Sequence, residues 1–283
     1  MIIAETIEDV RKYVREWKRE GLSIGLVPTM GFLHSGHASL VRESAKECDR
    51  TVASVFVNPT QFAQNEDLAS YPRDFEHDCR ILEENGCDMV FHPSVAEMYP
   101  DGFATYVEIR SDMPHQLCGK TRPTHFRGVC TVVSKLFNIV TPDKAFFGQK
   151  DAQQLTVIKQ MVRDLSMGVE VIGCPIVREA DGLAMSSRNT YLNADERKAS
   201  AVLSKAIRLG QQMCENGCTD ADELVSEMTK LIESEPLTRI DYVAAVDSID
   251  LQPVKEIKGS VLVAIAVYIG KTRLIDNFSF NAD

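Results

Sequence analysis

Short apolar runs that read as β-strands alternate with amphipathic, helix-like stretches along the first 173 residues of this chain. Strands that alternate with helices in this way form a parallel sheet with helices packed on both faces. The pattern therefore predicts a doubly wound, Rossmann-like α/β fold. The predicted strands are 22–27, 51–57, 88–92, 144–147 and 169–173, and the predicted helices are 7–20, 75–85, 128–140 and 151–165.

The character of the sequence changes after residue 175. Two acidic helical patterns come first, and three strand-like runs follow them. Helices followed by consecutive strands indicate an α+β arrangement with an antiparallel sheet. We therefore expect two domains, 1–175 and a smaller C-terminal lid domain, 176–283. The predicted elements of the second domain are helices 194–215 and 220–234 and strands 240–246, 261–268 and 272–278.

Composition limits the possible partners. The net charge of −10 argues against nucleic acid or an anionic membrane surface as the main partner. The longest apolar run, 261–269, is too short to span a bilayer, and the first residues lack the basic region of a signal peptide. The 8 cysteines show no metal-ligand spacing and are expected to be reduced thiols. These features predict a cytoplasmic protein.

The stretch 28–37 reads PTMGFLHSGH and joins the first predicted strand to a helical pattern that starts at Ser39. Pro28 has no backbone N–H and is expected to end the hydrogen-bond ladder of the strand. Gly31 and Gly36 allow the backbone to approach a ligand closely. A strand, a glycine-containing turn and a helix N-terminus together form an anion site, because unpaired N–H groups point at the ligand.

Two histidines, His34 and His37, lie in this turn. Side chains three residues apart at a helix start face the same side, so both imidazoles can donate to one phosphate group. The alternative is that each histidine only caps the helix or fills a crevice. For a His-x-Gly-His pattern directly after an apolar strand, we favour the nucleotide-binding interpretation.

Two further segments carry groups suited to phosphate. Lys150 follows the strand 144–147 and would place a point charge on a phosphate oxygen, while Asp151 could cap the next helix or help to hold a magnesium ion. Read alone, a solvated turn explains this segment equally well. The run MSSR at 185–188 offers two hydroxyls and a guanidinium, which suit bidentate contact with phosphate.

Neutral amides mark a possible substrate site. Gln61 and Gln154 follow predicted strand ends and would suit a ligand with hydroxyl and carboxylate groups, although Gln154 could equally be an exposed side chain. The segment 122–127 is basic, and it is either a mobile loop over an anionic ligand or a solvated surface. The sequence contains no Ser-His-Asp order, P-loop lysine pattern or Gly-x-Gly-x-x-Gly motif.

Taken together, these motifs resemble the pantoate–β-alanine ligase family, in that family's order and spacing and over nearly the whole chain. His-x-Gly-His alone is typical of nucleotidyltransferase-type folds, and MSSR resembles the Lys-Met-Ser-Lys-Ser loop of class I aminoacyl-tRNA synthetases. The combination is much more specific. The motifs that carry the resemblance are PTMGFLHSGH (28–37), FVNPTQF (56–62), HFRG (125–128), FGQKDAQQ (147–154) and MSSRN (185–189).

The resemblance implies an AMP-forming ligase with ATP and Mg²⁺. Pantoate would attack the α-phosphorus of ATP to give pantoyl adenylate, and β-alanine would then displace AMP to give pantothenate. A homodimer is also implied. His37, His34 and Lys150 would act in catalysis. The ATP site would comprise Met30, Gly31, Phe32, Leu33, His34, Ser35, Gly36, His37, Gly148, Gln149, Lys150, Asp151, Val177, Met185, Ser186, Ser187 and Arg188, and the pantoate and β-alanine sites Gln61, Gln154 and Asn58.

Two other functions fit part of the pattern. An adenylyltransferase that moves AMP onto a phosphate ester would need extra cations, which Gln61 and Gln154 do not supply. A non-catalytic ATP-binding sensor would bind ATP without turnover. One departure from the family concerns Thr124, which stands where members usually have Gly and leaves the roles of Arg122 and His125 open.

Overall fold

The computed structural model describes residues 1–63 and 66–282. The chain divides into two compact units. The described residues of Met1–Arg110, Arg122–Gln149 and Val157–Pro175 form the first unit, and Ser111–Thr121, Lys150–Thr156 and 176–282 form the second. Two short internal segments thus belong to the second unit. The contiguous domains 1–175 and 176–283 stay a prediction.

The first unit contains a parallel sheet of six strands in the order β1-β4-β3-β2-β5-β6. Every neighbouring pair is parallel. The order reverses between β2 and β5, which are the strands followed by the predicted His34 and Lys150 segments. The doubly wound fold predicted from the sequence is therefore confirmed. The strands are β1 (Ile2–Ala4), β2 (Ile24–Thr29), β3 (Arg50–Val55), β4 (Met89–Phe91), β5 (Lys144–Gly148) and β6 (Glu170–Cys174).

Helices connect these strands, and their limits follow from capping and burial. In the first helix, Thr6 caps the helix N-terminus by accepting from Asp9 N, while Val10 and Val14 face the core. The strand β1 was not predicted, since three residues are too few for a periodic signal. The helices that lie between β1 and β6 in the chain are α1 (Ile7–Arg19), α2 (Ser35–Glu47), α3 (Phe75–Glu84), α4 (Val95–Met98), α5 (Cys118–Thr121), α6 (His125–Val140) and α7 (Ala152–Asp164).

Pro28 does not end the ladder of β2, so that prediction is wrong. The strand continues to Thr29, and Pro28 lies opposite Ser54 in the register with β3. Thr29 bonds toward β3, through its N–H to Ser54 Oγ and through its carbonyl to Phe56 N. Because bonding direction alternates along a strand, Pro28 points toward the β5 side, where pairing covers only Gly25 and Leu26. The missing N–H therefore costs no ladder bond.

The second unit contains an antiparallel sheet in the order β7-β8-β9, which confirms the α+β prediction. The predicted single helix 194–215 is interrupted at Ser200, which ends one helix and begins the next. Ser200 Oγ donates to Arg197 O and so competes with the helical bonding pattern there. The elements are α8 (Ala194–Ala199), α9 (Ala201–Glu215), α10 (Ala221–Glu233), β7 (Thr238–Asp247), β8 (Gly259–Ile269) and β9 (Thr272–Ala282).

Each unit has its own apolar core. In the second, Leu203 and Leu224 from the helices pack with Val263 from β8. In the first, Val27, Ala53 and Val90 lie in one cluster with residues of α2 and α3. Across the described parts of the chain, every helix is too short or too polar to cross a lipid bilayer.

Candidate active site

The turn between β2 and α2 has an unusual backbone. Gly31 has a φ of +84° and Phe32 a φ of +50°, both in the left-handed region. For a bulky residue such as Phe this conformation is strained and requires support from its surroundings. Thr29 Oγ1 supplies part of that support by accepting from Gly31 N at 3.2 Å.

The rest of the support comes from Asp78, on α3. Its Oδ2 accepts from Phe32 N at 2.9 Å and its Oδ1 from Leu33 N at 2.7 Å. The carboxylate is only 1% exposed, and this burial raises its pKa, against the opposing effect of the two N–H donors. We did not predict Asp78, because an aspartate in the first turn of a helix is ordinary in a sequence.

His34 and His37 cap α2 reciprocally. His34 is the N-cap residue, and its Nδ1 accepts from Gly36 N at 3.1 Å. His37 Nδ1 accepts from His34 N at 3.3 Å, and the two ring centroids lie 4.1 Å apart. An accepting nitrogen carries no proton, so each neutral ring has its N–H at Nε2. Helix capping, the alternative we considered, is therefore observed for both rings, and phosphate binding stays a prediction.

The predicted amides Asn58 and Gln61 lie in the same unit, just after β3. Asn58 is 1% exposed and caps the 3₁₀ helix Pro59–Gln61, accepting from Thr60 N. Its Nδ2 donates to Gln61 Oε1 at 3.0 Å, and Gln61 Nε2 lies 3.1 Å from Met30 Sδ. The structure thus brings Gln61 to the start of the histidine turn.

Tyr99 is a further member of this network that we did not predict. Its hydroxyl donates to Asn58 Oδ1 at 2.7 Å. The ring contacts Phe56 and Phe103, and burial raises the pKa of the hydroxyl. Because Tyr99 donates to Oδ1, it orients the Asn58 amide so that Nδ2 faces Gln61. Tyr99 directly follows α4 in the chain, and only folding brings it next to Asn58.

The HFRG segment packs against the same loop. The helix α6 begins at His125, earlier than predicted, and His125 Nδ1 lies 2.9 Å from Gln61 O. Arg122 forms an ion pair with Glu66 and is 19% exposed. Thr124 makes no side-chain cap at the start of this helix. At Gly128 a Cβ atom would lie 2.4 Å from Thr60 O, so this position requires glycine for close packing.

Lys150 and Asp151 belong to the second unit. They lie in the 3₁₀ helix Gln149–Asp151 after β5, and Lys150 Nζ is 3.7 Å from Asp151 Oδ2. The side chain of Lys150 is 20% exposed. Its backbone is held from β9, where Asn277 Nδ2 donates to Lys150 O at 2.8 Å. Neither this hydrogen bond nor its partner could be predicted from the sequence.

The hairpin that leads into the MSSR loop is held by Asp276, the residue before Asn277 on β9. Met185 N donates to Val177 O at 2.9 Å, and Arg178 pairs with Ala184. Both terminal nitrogens of Arg178 reach Asp276, at 2.6 and 3.0 Å, and Nη1 also donates to Gly182 O. Asp276 is 1% exposed, and burial raises its pKa while Arg178 acts in the opposite direction.

The MSSR loop itself ends in a short 3₁₀ helix, Ser187–Tyr191. Ser186 caps this helix by accepting from Arg188 N, and Ser187 is buried. Gln154 is half-buried in α7, one turn after Lys150 and in the same unit. Gln149 belongs to the first unit, where its Nε2 donates to Gly173 O. The single cleft expected for all these residues stays a prediction.

Comparison with known proteins gives matches along nearly the whole chain. A family profile described as pantoate-beta-alanine ligase matches residues 2–279. A pantothenate synthetase of Ruminiclostridium cellulolyticum is 56% identical over 278 residues, which cover 98% of this chain and 98% of that relative. The crystal structure of pantothenate synthetase from Thermus thermophilus has a TM-score of 0.93 at 43% identity and covers 98% of this chain and 99% of that chain.

A second solved structure carries ligands. Pantoate-beta-alanine ligase from Francisella tularensis was crystallised in complex with beta-gamma ATP and beta-alanine. It has a TM-score of 0.80 at 34% identity, and the alignment covers 98% of this chain and 97% of that chain. The family match and the structural matches therefore cover nearly the whole chain.

Proposed function

The chain belongs to the pantoate–β-alanine ligase family, whose reaction joins pantoate to β-alanine, and we propose that it does so through a pantoyl-adenylate intermediate. ATP is the third substrate. A carboxylate does not acylate an amine until one of its oxygens becomes part of a good leaving group, and AMP is such a group. The reaction therefore requires binding and orientation of three small molecules rather than a nucleophilic side chain.

In the first half-reaction a carboxylate oxygen of pantoate attacks the α-phosphorus of ATP, and the bond from that phosphorus to pyrophosphate breaks. Negative charge grows on the phosphate oxygens, so fixed donors accelerate this step. His34 and His37 would supply them through Nε2–H at the positive end of α2. Lys150 and Arg188 would add positive charge to the nucleotide phosphates.

In the second half-reaction the amine of β-alanine attacks the activated carbonyl carbon. The carbon–oxygen bond to AMP breaks, and the amine loses a proton. Gln61 and Gln154 would hold pantoate by accepting from its hydroxyls and donating to its carboxylate, with Gln61 and Asn58 also near β-alanine. The adenylate is a mixed anhydride that water destroys, so the second unit would act as a lid that excludes water.

The remaining predicted residues would complete the ATP site. The backbone from Met30 to Gly36 would follow the phosphate chain, and Val177 and Met185, which pair with each other, would contact the nucleotide from the second unit. Ser186 and Ser187 would donate to phosphate. Gly148 and Gln149 precede Lys150 and would bring the backbone close to the nucleotide.

The resemblance also implies Mg²⁺. Within the described ranges, no group of three or more His, Cys, Asp or Glu side chains is arranged to hold a metal ion. The ion would therefore take most of its ligands from phosphate and water oxygens. Asp151, whose side chain is 50% exposed beside Lys150, fits as a single carboxylate ligand. When bound, Mg²⁺ neutralises charge on the triphosphate.

The observation that carries this proposal is the pairing of two imidazole donors with a neutral amide network. The rings of His34 and His37 share one helix start, and the side chain of Gln61 reaches Met30 in the turn before them. A phosphate ester substrate would need more positive charge at the amide site. A hydroxy acid such as pantoate needs paired donors and acceptors, which the Gln61 amide, oriented by Asn58, would provide.

Pyrophosphate exchange tests the proposal. Labelled pyrophosphate should enter ATP when ATP, Mg²⁺ and pantoate are present and β-alanine is absent, because adenylate formation is reversible. Omission of pantoate should abolish the exchange. If the purified protein shows no exchange under any of these conditions, or binds ATP tightly without any turnover, the ligase assignment for this chain is wrong.

A cytoplasmic homodimer is part of the same proposal. It is supported by the family resemblance and by the cysteines that we expect to be reduced. Sedimentation equilibrium checks the assembly: a mass of twice 31.5 kDa is expected, and a mass of 31.5 kDa at micromolar concentration would contradict it.

A further inference from the structure

Asp78 carries a negative charge next to a turn that is proposed to bind phosphates. Its oxygens lie 2.9 and 2.7 Å from the backbone nitrogens of Phe32 and Leu33. A buried carboxylate at this place repels an anionic ligand and costs desolvation energy. A group that is unfavourable for both folding and anion binding needs a compensating role.

The compensation lies in the shape of the turn. Gly31 and Phe32 are both left-handed, and Asp78 holds the N–H groups on the far side of that bend. A Cβ atom at Gly31 would lie 2.9 Å from Asp78 Oδ2, so the carboxylate packs directly against the backbone. His77, the preceding residue of α3, reaches Leu33 O with its Nε2 at 3.3 Å. One turn of α3 therefore fixes both polar groups of Leu33.

The next residue after Leu33 is His34, the N-cap of α2. Its backbone N–H is the donor to His37 Nδ1, so the position of this peptide sets the orientation of both rings. A shift of the Phe32–Leu33 backbone would move the N-cap residue and break the reciprocal cap. The two imidazoles are thus tied through three consecutive residues to a carboxylate on another helix.

We propose that Asp78 is a positioning residue for ATP: it holds the left-handed turn at Gly31 and Phe32 so that the rings of His34 and His37 are correctly placed for the phosphates. This inference rests on the proposed function of the two histidines. It also assigns the N–H groups of Phe32 and Leu33 to Asp78 rather than to the nucleotide.

The two effects of Asp78 on ATP have opposite signs, which makes the inference testable. In an Asp78→Asn variant, the negative charge is lost, and that alone would strengthen ATP binding. The same change places a side-chain NH₂ group opposite a backbone N–H. Two donors cannot bond to each other, so the turn loses one of its two hydrogen bonds to residue 78. If Asp78 positions the turn, the second effect dominates, and kcat/KM for ATP falls about 10- to 100-fold, as misplacement of a catalytic group typically causes.

A matched control lies at the other end of the same strand. Asp143 Oδ2 accepts from Ile24 N at 2.7 Å, at the start of β2, whereas Asp78 acts just beyond its end. Asp143→Asn removes the same kind of carboxylate–amide bond away from the turn. Steady-state pyrophosphate exchange with varied ATP and varied pantoate should show the loss for ATP in Asp78→Asn only, with KM for pantoate within about twofold.

Amide hydrogen exchange of the wild-type protein tests the inference without any variant. The amides of Phe32 and Leu33 should be protected without nucleotide, and a non-hydrolysable ATP analogue should leave their protection unchanged. Fast exchange of both amides, or strong new protection on addition of the analogue, would overturn the inference.

The kinetic outcomes separate the inference from the proposed function. If the wild-type enzyme exchanges pyrophosphate but Asp78→Asn retains its kcat/KM for ATP, or loses no more than Asp143→Asn, the positioning role is wrong and the ligase function stands. If the wild-type enzyme shows no pantoate-dependent exchange, the proposed function fails, while the hydrogen-exchange result still decides whether Asp78 holds the turn.

Discussion

The two units each contain a buried aspartate that supports predicted nucleotide-binding residues, but the two carboxylates are compensated differently. Asp78, in the first unit, accepts from two backbone N–H groups. Asp276, in the second, accepts from both arms of the Arg178 guanidinium and from Asn277 N. Each is 1% exposed, and burial raises the pKa of both.

The difference lies in what each carboxylate holds. Asp78 fixes the main chain of a strained turn directly. Asp276 acts through a side chain, since Arg178 carries the contact onward to Gly182 O in the hairpin before the MSSR loop. A neutral set of donors leaves a net charge beside the turn, whereas the guanidinium cancels the charge of Asp276. In the second unit, we therefore expect removal of the ion-pair partner Arg178 to be the more damaging change. In the first unit, we expect a shift of the turn backbone to be the more damaging change.

The largest effects are expected from the proposed imidazole and lysine donors. His37→Ala and Lys150→Ala should each slow adenylate formation about 10²- to 10³-fold, the usual value of a positioned donor. Pyrophosphate exchange at saturating ATP and pantoate measures this. Lys144→Ala is the matched control, because Lys144 lies at the opposite end of β5 and pairs with Glu47. Near-normal rates in both test variants would remove them from the chemistry.

The next effect concerns stability in the second unit. Arg178→Met leaves Asp276 buried without its guanidinium partner and should lower the free energy of unfolding by about 3 kcal/mol. A double variant, Arg178→Met with Asp276→Leu, should recover most of that loss, because it removes the buried charge as well. Denaturant unfolding measures both. If the single variant is as stable as the wild type, the ion pair does not compensate the buried charge.

A smaller effect is expected at Asn277. Asn277→Asp keeps the shape of the side chain but removes the Nδ2–H that holds Lys150 O, and about a tenfold slower pyrophosphate exchange is expected for one such bond. Asn138→Asp is the control, since Asn138 donates in the same way to Ser134 O within α6. A rate for Asn277→Asp that equals the rate of this control would show that the hydrogen bond does not position Lys150.

The smallest effect is a pH dependence of stability at Asp78. Its raised pKa means that the folded state holds this proton more tightly than the unfolded state does. The contribution of Asp78 to stability therefore falls as the pH rises from about 4 through the pKa of Asp78 in the folded state, and Asp78→Asn lacks this contribution. The difference in free energy of unfolding between the two should shrink from pH 4 to pH 7. A difference that grows over this range would contradict the cause assigned to the shift.

Local patterns were enough to predict the fold class and most of its elements. Apolar runs between turn residues identified five strands of the parallel sheet, because buried parallel strands are continuously apolar. The limits of α2 were missed, since helix 35–47 starts with residues of poor helix propensity and is capped by histidine rather than by a residue such as Ser or Asp. The start of α6 was placed three residues late for a related reason, because His125 and Arg127 are polar.

The supporting residues could not be found in this way. Leu33 and Asp78 are 45 positions apart in the sequence, Asp276 and Arg178 are 98 apart, and Asn277 and Lys150 are 127 apart. No local motif joins such pairs, and each residue is ordinary in its own segment. The residues that would contact the substrates were named from motifs, whereas those that hold them in place appear only when the chain is folded.

Transfer of oxygen from pantoate to AMP tests the proposed chemistry most directly. With ¹⁸O in the pantoate carboxylate, one labelled oxygen should appear in each AMP, because the oxygen that attacks the α-phosphorus stays with it when β-alanine displaces AMP. Mass spectrometry of the AMP measures this. Unlabelled AMP, with the label that leaves pantoate found instead in inorganic phosphate or water, would contradict a pantoyl-adenylate intermediate.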